Sequence, residues 1–376
     1  MSTDLNTQNT QNTSASAVWV SPSVDPAAAE AFGNRCVGIM NDAAIALLIS
    51  VGHQVGLFDE LAQNPGSTSG QLAEKGGLTE RYVREWLAGM VTAGIVRLDP
   101  GTRTHTLPPE HAAVLTTAAG HNNMSHLMQY IAMFGEVEQK VVERFRQGGG
   151  LSYGDYPNFH RVMAEESAAV NDAALIEVIL PLADDLPERL AAGIEVADIG
   201  CGSGHAVNLM ARAYPASRFT GFDFSDEAIA TARREAAAWG LDNARFEVLD
   251  VGGWAAEEAF DAVTAFDAIH DQAHPAQVLA NIHRALRPGG IFLMVDLTAE
   301  TAVEDNIDLP WASYLYAISL FHCMTVSLGL DGDGLGTAWG RQLALRMVSE
   351  AGFATVEDKD IDTDPFNTYY VARRGG

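Results

Sequence analysis

Residues 196–204 read VADIGCGSG. The pattern predicts a buried strand, a tight turn and a helix opening just after Gly204, because glycines let the chain turn sharply and bring a ligand close to the N–H groups of a helix N-terminus. A dinucleotide fold would show GxGxxG here, with its third glycine seating the helix beneath a pyrophosphate. This loop is GxGxG, built on Gly200, Gly202 and Gly204 and preceded by Asp198. A carboxylate at that point is poorly placed beside a diphosphate and well placed beside a cation such as an ammonium.

Outward from this loop the text alternates strand and helix. EVADI is followed by a helix to Ala213, RFTGFD, a helix over 225–239, ARFEVLD, FDAVTAF, a helix over 276–286 and IFLMVD, which predicts an α/β, doubly wound, parallel sheet. Asp223 ends the second strand, 23 residues after Gly200, where a carboxylate accepts both hydroxyls of a ribose. Asp250 ends the third, where an adenine amino group would lie. A glycine loop alone signals a turn. With an acid at the end of three consecutive strands it signals a ligand with ribose, adenine and positive charge but no phosphate, which describes S-adenosylmethionine.

Upstream, the chain falls into shorter units. Ile39, Met40, Ala43, Ala44, Leu47 and Leu48 share one helical face, and Val55, Leu57, Phe58 and Leu61 mark a second short helix. After the turn NPGS come a helix from Ser69, a break at Gly76 and Gly77, and a longer helix from Thr79 with Tyr82, Val83, Trp86, Leu87, Met90 and Val91 on one side. Strands at Ile95–Leu98 and His105–Leu107 flank the turn DPGT, so three helices and a β-ribbon predict a winged helix. One function of that unit is DNA binding. Residues 69–98 hold Lys75, Arg81, Arg84 and Arg97 against Glu74, Glu80 and Glu85, too little positive charge for a phosphate backbone, and apolar surface on the first helices favours a partner subunit instead.

The whole chain agrees. With 49 acidic against 23 basic residues and a formal charge of −26, nucleic acid is not an expected partner. Its 376 residues suit two domains, and no uninterrupted apolar run reaches the roughly 18 residues of a membrane span. The first residues lack the basic start and apolar segment of an export signal, so a soluble, cytoplasmic protein is expected. Cys36, Cys201 and Cys323 are widely spaced and read as free thiols. NTQNTQNT at 6–13 has nothing to bury and predicts a disordered tail over 1–25.

Together, VADIGCGSG, GFDFS, LDVGGW and LRPGG resemble class I S-adenosylmethionine-dependent methyltransferases over residues 190–376. With the winged helix, the chain resembles the small-molecule O-methyltransferases of plants and bacteria over nearly everything after about residue 36. The resemblance implies a seven-stranded, mostly parallel Rossmann-like sheet behind a mainly helical winged-helix domain that dimerises and helps close the acceptor pocket. The expected boundaries are 26–120 for the winged helix, 121–190 for a helical linker and pocket region, and 191–376 for the methyltransferase domain. The cofactor set so implied is Asp198, the three loop glycines, Asp223, Phe224, Asp250, Val251, Phe266 and Asp267. FHRVMAEES adds Met163, near the transferred methyl, and Ser167, near the cofactor carboxylate.

FDAIHDQAHP at 266–275 follows the fourth strand. His270 and His274 stand four apart, a metal spacing on a helix, but proline favours a helix's first turn, so the helix should start at Pro275 and leave His274 in the loop. By the resemblance, His270 and Asp271 are the pair in which the histidine removes a proton from an acceptor hydroxyl. The family's plant members carry an aromatic residue next, where this chain has Gln272. The stretch DNIDLPWASYLYAISLFHCMTVSLGLDGDGLGTAWG supplies Trp311, Tyr314, His322 and Cys323 as an aromatic acceptor pocket. Its DGDG at 331–334 lacks the later acidic ligands of a calcium loop and reads as a flexible hinge. The expected function is methyl transfer to a small molecule by a homodimer, with a ligand-sensing regulator, or a thiol or amine methyltransferase working without a base, as alternatives.

Overall fold

The computed structural model describes residues 24–376, so nearly all of the tail expected to be disordered lies outside the described residues. The chain divides into a first unit ending at Ala44 and a second running from Ile45 to Gly376. One helix, Pro26–Gln54, starts thirteen residues before Ile39, the first residue of the face read from the periodicity. In the first unit it carries exposed Phe32, Val37, Ile39 and Met40, and Leu47 further along is exposed too, the apolar surface expected on this helix.

The winged helix of the second unit follows the expected pattern closely. Helix Leu57–Gln63 buries Leu57, Phe58 and Leu61. Helix Ser69–Gly76 opens on a reciprocal cap in which Thr68 and Gln71 satisfy each other's backbone N–H groups, and it closes on Gly77 in the left-handed region. Helix Glu80–Thr92 turns Val83, Trp86, Leu87 and Met90 inward at helical spacing. The Trp86 indole N–H donates to the Leu48 carbonyl at 2.7 Å. Tyr82 breaks the pattern and points outward, 79% exposed. Strands β1 (Arg97–Asp99) and β2 (Thr104–Thr106) pair antiparallel as the wing.

Seven strands form the second sheet: β3 (Glu195–Ile199), β4 (Arg218–Asp223), β5 (Ala244–Val248), β6 (Phe260–Phe266), β7 (Leu286–Leu297), β8 (Thr355–Ile361) and β9 (Asp364–Arg373). Their order is β5-β4-β3-β6-β7-β9-β8. Neighbours from β5 through β7 are parallel, and β9 runs antiparallel to both β7 and β8. Both faces are covered, one by a core around Val207, Met210, Phe219 and Leu293, the other by a core around Val263, Ile282, Phe292 and Trp339. Burial on both sides explains why the strands read as apolar runs rather than alternating ones. The strand order reverses between β3 and β6, and in such sheets the crevice at the carboxyl ends beside that reversal holds the ligand.

Two helical stretches, Pro26–Gln54 and Ala312–Gly329, are long and apolar enough by composition to cross a membrane, although their sequences lack the uninterrupted run sought at the outset. Ile318, Cys323 and Val326 of the second pack into a core with Tyr130, Met133, Phe134 and Val162.

Gly204 seats its helix on the sheet with φ +74°, and a β-carbon there would meet Ala232 and the Phe246 ring at 2.5 Å. Gly204→Ala should therefore destabilise the protein by about 2–4 kcal/mol, combining left-handed backbone strain with overpacking. Denaturant titration measures it, and an unchanged midpoint would refute the packing argument.

Candidate cofactor and acceptor site

The crevice at the strand ends is a cavity walled by Asp198, Gly200, Cys201 and Gly202 at the end of β3 and just beyond it, by Asp223 and Phe224 at the end of β4, and by Phe266, Asp267 and Asp271 at and beyond the end of β6. Met163, Ser167 and Val251 also line it. Of the expected cofactor set, Gly204 and Asp250 are not on its wall. Gly204 acts through packing, and the Asp250 carboxylate accepts the Gly252 N–H at 2.8 Å, capping a turn.

The acids sit in distinct surroundings. Asp198 is 3% exposed and accepts the Thr264 hydroxyl at 2.5 Å. Burial outweighs that bond and, with Asp223 nearby, pushes its carboxyl up to about 7. Asp223 accepts N–H groups from Gly202 at 2.9 Å and Ser225 at 2.8 Å, yet burial still raises it. Asp267 holds a left-handed backbone, φ +50°, and its Oδ1 is buried without a hydrogen-bond partner. Burial and then Asp296 lift its carboxyl well above the usual range. Such carboxylates suit a cationic ligand: the ammonium and sulfonium of S-adenosylmethionine supply the charge that the wall lacks, and the open glycine loop leaves room for its amino-acid end.

Helix Phe159–Ala174 forms the opposite wall. His160, Met163, Ala164, Ser167 and Asn171 face the cavity. Only Met163 and Ser167 were expected, though the others follow at helical spacing. The helix is tied to the first helix, with His53 Nε2 at 2.5 Å from Glu165 Oε1, and to helix Gln129–Gln147, with the Gln129 side-chain amide donating to Oε2 at 2.9 Å. Tyr153 closes the rim: its ring lies 4.9 Å from that of Phe224, and its hydroxyl donates to Asp271 at 2.8 Å.

His270 and Asp271 do not pair with each other. Successive loop residues diverge, so the His270 ring turns inward, 3% exposed and off the cavity wall, with Nδ1 at 2.9 Å from Oδ1 of Asp296 at the end of β7. Burial opposes an imidazolium there, but Asp296 prevails and holds the group well above the ordinary histidine range. Helix Pro275–Ala285 starts at the proline, and His274 stands outside it with Nδ1 at 3.3 Å from Asp333.

The loop is held from outside. Asp333 N–H donates to the Ala273 carbonyl at 2.7 Å, Gly336 N–H to the His270 carbonyl at 3.2 Å, and the Ser327 hydroxyl to the Gln272 carbonyl at 2.9 Å. DGDG is thus a strap rather than the expected hinge. A β-carbon on Gly332 would lie 2.4 Å from the Ala273 carbonyl oxygen, so only glycine allows this approach.

The expected acceptor residues stand apart from the cavity wall. Trp311 packs on Phe366 at 4.7 Å, Tyr314 meets Tyr130 edge-on at 6.2 Å, and Cys323 Sγ is 3.6 Å from His322 Nδ1. His322 stacks on Phe159 at 3.8 Å, and burial, then His270, lowers it to about 3. It stays neutral.

A parallel sheet reversing at a glycine loop, with acids at its strand ends, defines a class I methyltransferase-type domain. Comparison with known proteins agrees: residues 43–117 match the Rv2258c-like winged HTH domain family, and residues 190–319 match a methyltransferase domain family. The chain therefore joins a winged-helix domain to an S-adenosylmethionine-dependent methyltransferase domain. A trans-aconitate 2-methyltransferase of Variovorax paradoxus is 33% identical over 103 residues, 27% of this chain and 38% of that protein. A ubiquinone/menaquinone biosynthesis C-methyltransferase of Desulfotalea psychrophila is 31% identical over 123 residues, 32% of this chain and 48% of that protein. The chain thus spans less than half the length of these two relatives. Human N-acetylserotonin methyltransferase, solved in complex with S-adenosylmethionine, shares the fold at a TM-score of 0.66 and 18% identity, covering 94% of this chain and 99% of that one. An O-methyltransferase family protein from Burkholderia thailandensis does so at 0.62 and 17%, covering 91% and 98%.

Asp198 must ionise to pair with an ammonium. Affinity for S-adenosylmethionine should thus rise by up to about tenfold per pH unit below 7, and Asp198→Asn should remove that step. Calorimetry between about pH 5.5 and 7.5 checks the linkage; a flat wild-type profile would take Asp198 out of the ammonium site.

Proposed function

We propose that this protein transfers a methyl group from S-adenosylmethionine to a hydroxyl of a small-molecule acceptor, with His270 as general base. The observation that carries this reading is the buried His270–Asp296 pair, behind the loop that supplies Asp267 and Asp271 to the wall of a cavity that fits the cofactor. When bound, the cofactor supplies an electrophilic methyl group on a sulfonium. Asp223 would hold the ribose hydroxyls, Asp198 and the glycine loop the amino-acid end, and Phe224 and Val251 the adenine. Met163 and Ser167 face the same space from the opposite helix.

A hydroxyl is a weak nucleophile until its proton leaves. His270 takes that proton in its neutral form, and Asp296 orients the ring through Nδ1 and stabilises the imidazolium that results. Asp271 and Tyr153, bonded to each other, close the rim against water. The acceptor's oxygen gains the methyl as its proton passes to His270, so charge and atoms balance.

His270→Ala should lower turnover by about 10² to 10⁴ while leaving cofactor affinity nearly intact. Because Asp296 raises the His270 pKa, the wild-type rate should climb with pH through a value above the ordinary histidine range. Asp296→Asn removes the cause and leaves burial, so the rising limb should move to lower pH. Single-turnover pH profiles, on an acceptor found by a methyl-transfer screen, test this. A limb that stays in place in Asp296→Asn would refute the base assignment.

The protein is further proposed to act as a homodimer in the cytoplasm and to leave DNA alone. Exposed Phe32, Val37, Ile39 and Met40 on the first helix, together with the charge of −26, support this. Light scattering should report about twice the 40.2 kDa chain mass. A monomer that retards duplex DNA at physiological salt would favour the ligand-sensing regulator instead.

A further inference from the structure

Four carboxylates stand on the wall of the cofactor cavity, those of Asp198, Asp223, Asp267 and Asp271. Three of them have partners: Asp198 accepts the Thr264 hydroxyl, Asp223 the N–H groups of Gly202 and Ser225, and Asp271 the Tyr153 hydroxyl. Among the described residues, nothing bonds to the buried Oδ1 of Asp267. Its place is enforced all the same. The Asp267 N–H donates to the Val295 carbonyl of β7 at 3.0 Å, and its φ of +50° is one that a residue with a β-carbon rarely adopts. An unsatisfied oxygen on a strained residue is costly in the empty protein, and a ligand that completes the wall removes that cost.

The surroundings of Asp267 identify the part of the ligand it meets. Gly200 approaches Ala268, the next residue after Asp267, so closely that a β-carbon on the glycine would lie 2.4 Å from that of Ala268. Asp267 therefore borders the glycine loop, assigned above to the cofactor's amino-acid end. Strand β6 flanks β3 on the side away from β4, so Asp267 stands beyond that loop from the ribose acid Asp223. Met163 faces the same cavity from the opposite helix. S-adenosylmethionine carries two cations. Its ammonium has Asp198, and its sulfonium is left for the carboxylate that has no partner.

Resting on the methyltransferase reading above, we propose that Asp267 is the counter-ion of the cofactor's sulfonium, and so the residue by which the site distinguishes S-adenosylmethionine from S-adenosylhomocysteine. In the transfer, an electron pair of the acceptor oxygen forms the new C–O bond, the pair of the broken S–C bond stays on sulfur, and the acceptor's proton passes to His270. Sulfur ends neutral. The attraction to Asp267 ends with the reaction, so spent cofactor is held less tightly than fresh cofactor. Burial and then Asp296 raise this carboxyl in the empty site, and a cation beside it favours the ionised form again.

Calorimetry on the full chain compares S-adenosylmethionine with S-adenosylhomocysteine, which share every group except the methyl and charge on sulfur. The wild-type protein should bind S-adenosylmethionine at least about tenfold tighter, the scale of one opposite charge at close range. Asp267→Asn keeps the size of the side chain, and asparagine tolerates the left-handed backbone. This variant should bind S-adenosylmethionine about tenfold more weakly and S-adenosylhomocysteine within about twofold of wild type, so that the preference disappears. Should it fail to fold, Asp267→Gly, free in the left-handed region, replaces it with the same expected outcome. Equal wild-type affinity for the two ligands overturns the proposal without any variant and leaves the methyltransferase reading in place. So does a variant that melts like the wild type yet loses both ligands in the same proportion, which puts Asp267 at an end of the cofactor that the two share. A wild-type protein that binds neither ligand overturns both readings.

Discussion

Concentrated negative charge in a poorly solvated crevice is the constraint around which this molecule is arranged. Asp198, Asp223, Asp267, Asp271 and Asp296 all stand at the carboxyl ends of adjacent strands or just beyond them. Asp198, Asp223 and Asp296 are held there by the sheet itself, and Asp267 and Asp271 by the loop that follows β6. Hydrogen bonds from Thr264, Gly202, Ser225 and Tyr153 meet part of the need. The rest is left to a cofactor that brings positive charge, as the proposed site requires. Stability and binding are thereby opposed: what makes the empty site electrostatically costly is what makes the filled site selective.

His270 and Asp296 form a second layer of the same arrangement. Asp296 lies in β7 and His270 in the loop after neighbouring β6, so the sheet fixes one partner and the strap over that loop helps to fix the other. The bond to Asp296 leaves the second ring nitrogen for the proton transfer proposed above. The neighbouring His322, neutral and stacked on Phe159, adds volume rather than charge.

Much of this was legible in the sequence because its signals are local. The GxGxG loop, the strand-end acids Asp198 and Asp223, and Pro275 as a helix start each depend on a few consecutive residues. The wing and its three helices were legible from apolar spacing and from the Gly76–Gly77 break. What escaped reading depends on distance along the chain. Asp296 lies 26 residues from His270 and was passed over as the end of a strand. Asp271, adjacent in sequence, attracted the pairing instead and bonds Tyr153 from 118 residues away. Tyr82 and Leu47 sat on apparently apolar faces, since periodicity assigns a face without saying what covers it. DGDG looked mobile because glycine and aspartate are turn residues, whereas in this fold glycine is required for contact.

That strap ties two parts of the protein that could otherwise diverge independently. The segment over 324–336, read from the sequence as part of the acceptor pocket, holds the loop carrying His270 by main-chain bonds to the carbonyls of His270 and Ala273 and by the Ser327 hydroxyl to that of Gln272. A change of acceptor preference made by reshaping that insertion would also re-aim the histidine. On the proposed reading, substrate range and chemical competence are therefore coupled in this architecture. Transplanting one from a relative means transplanting both segments as a single block.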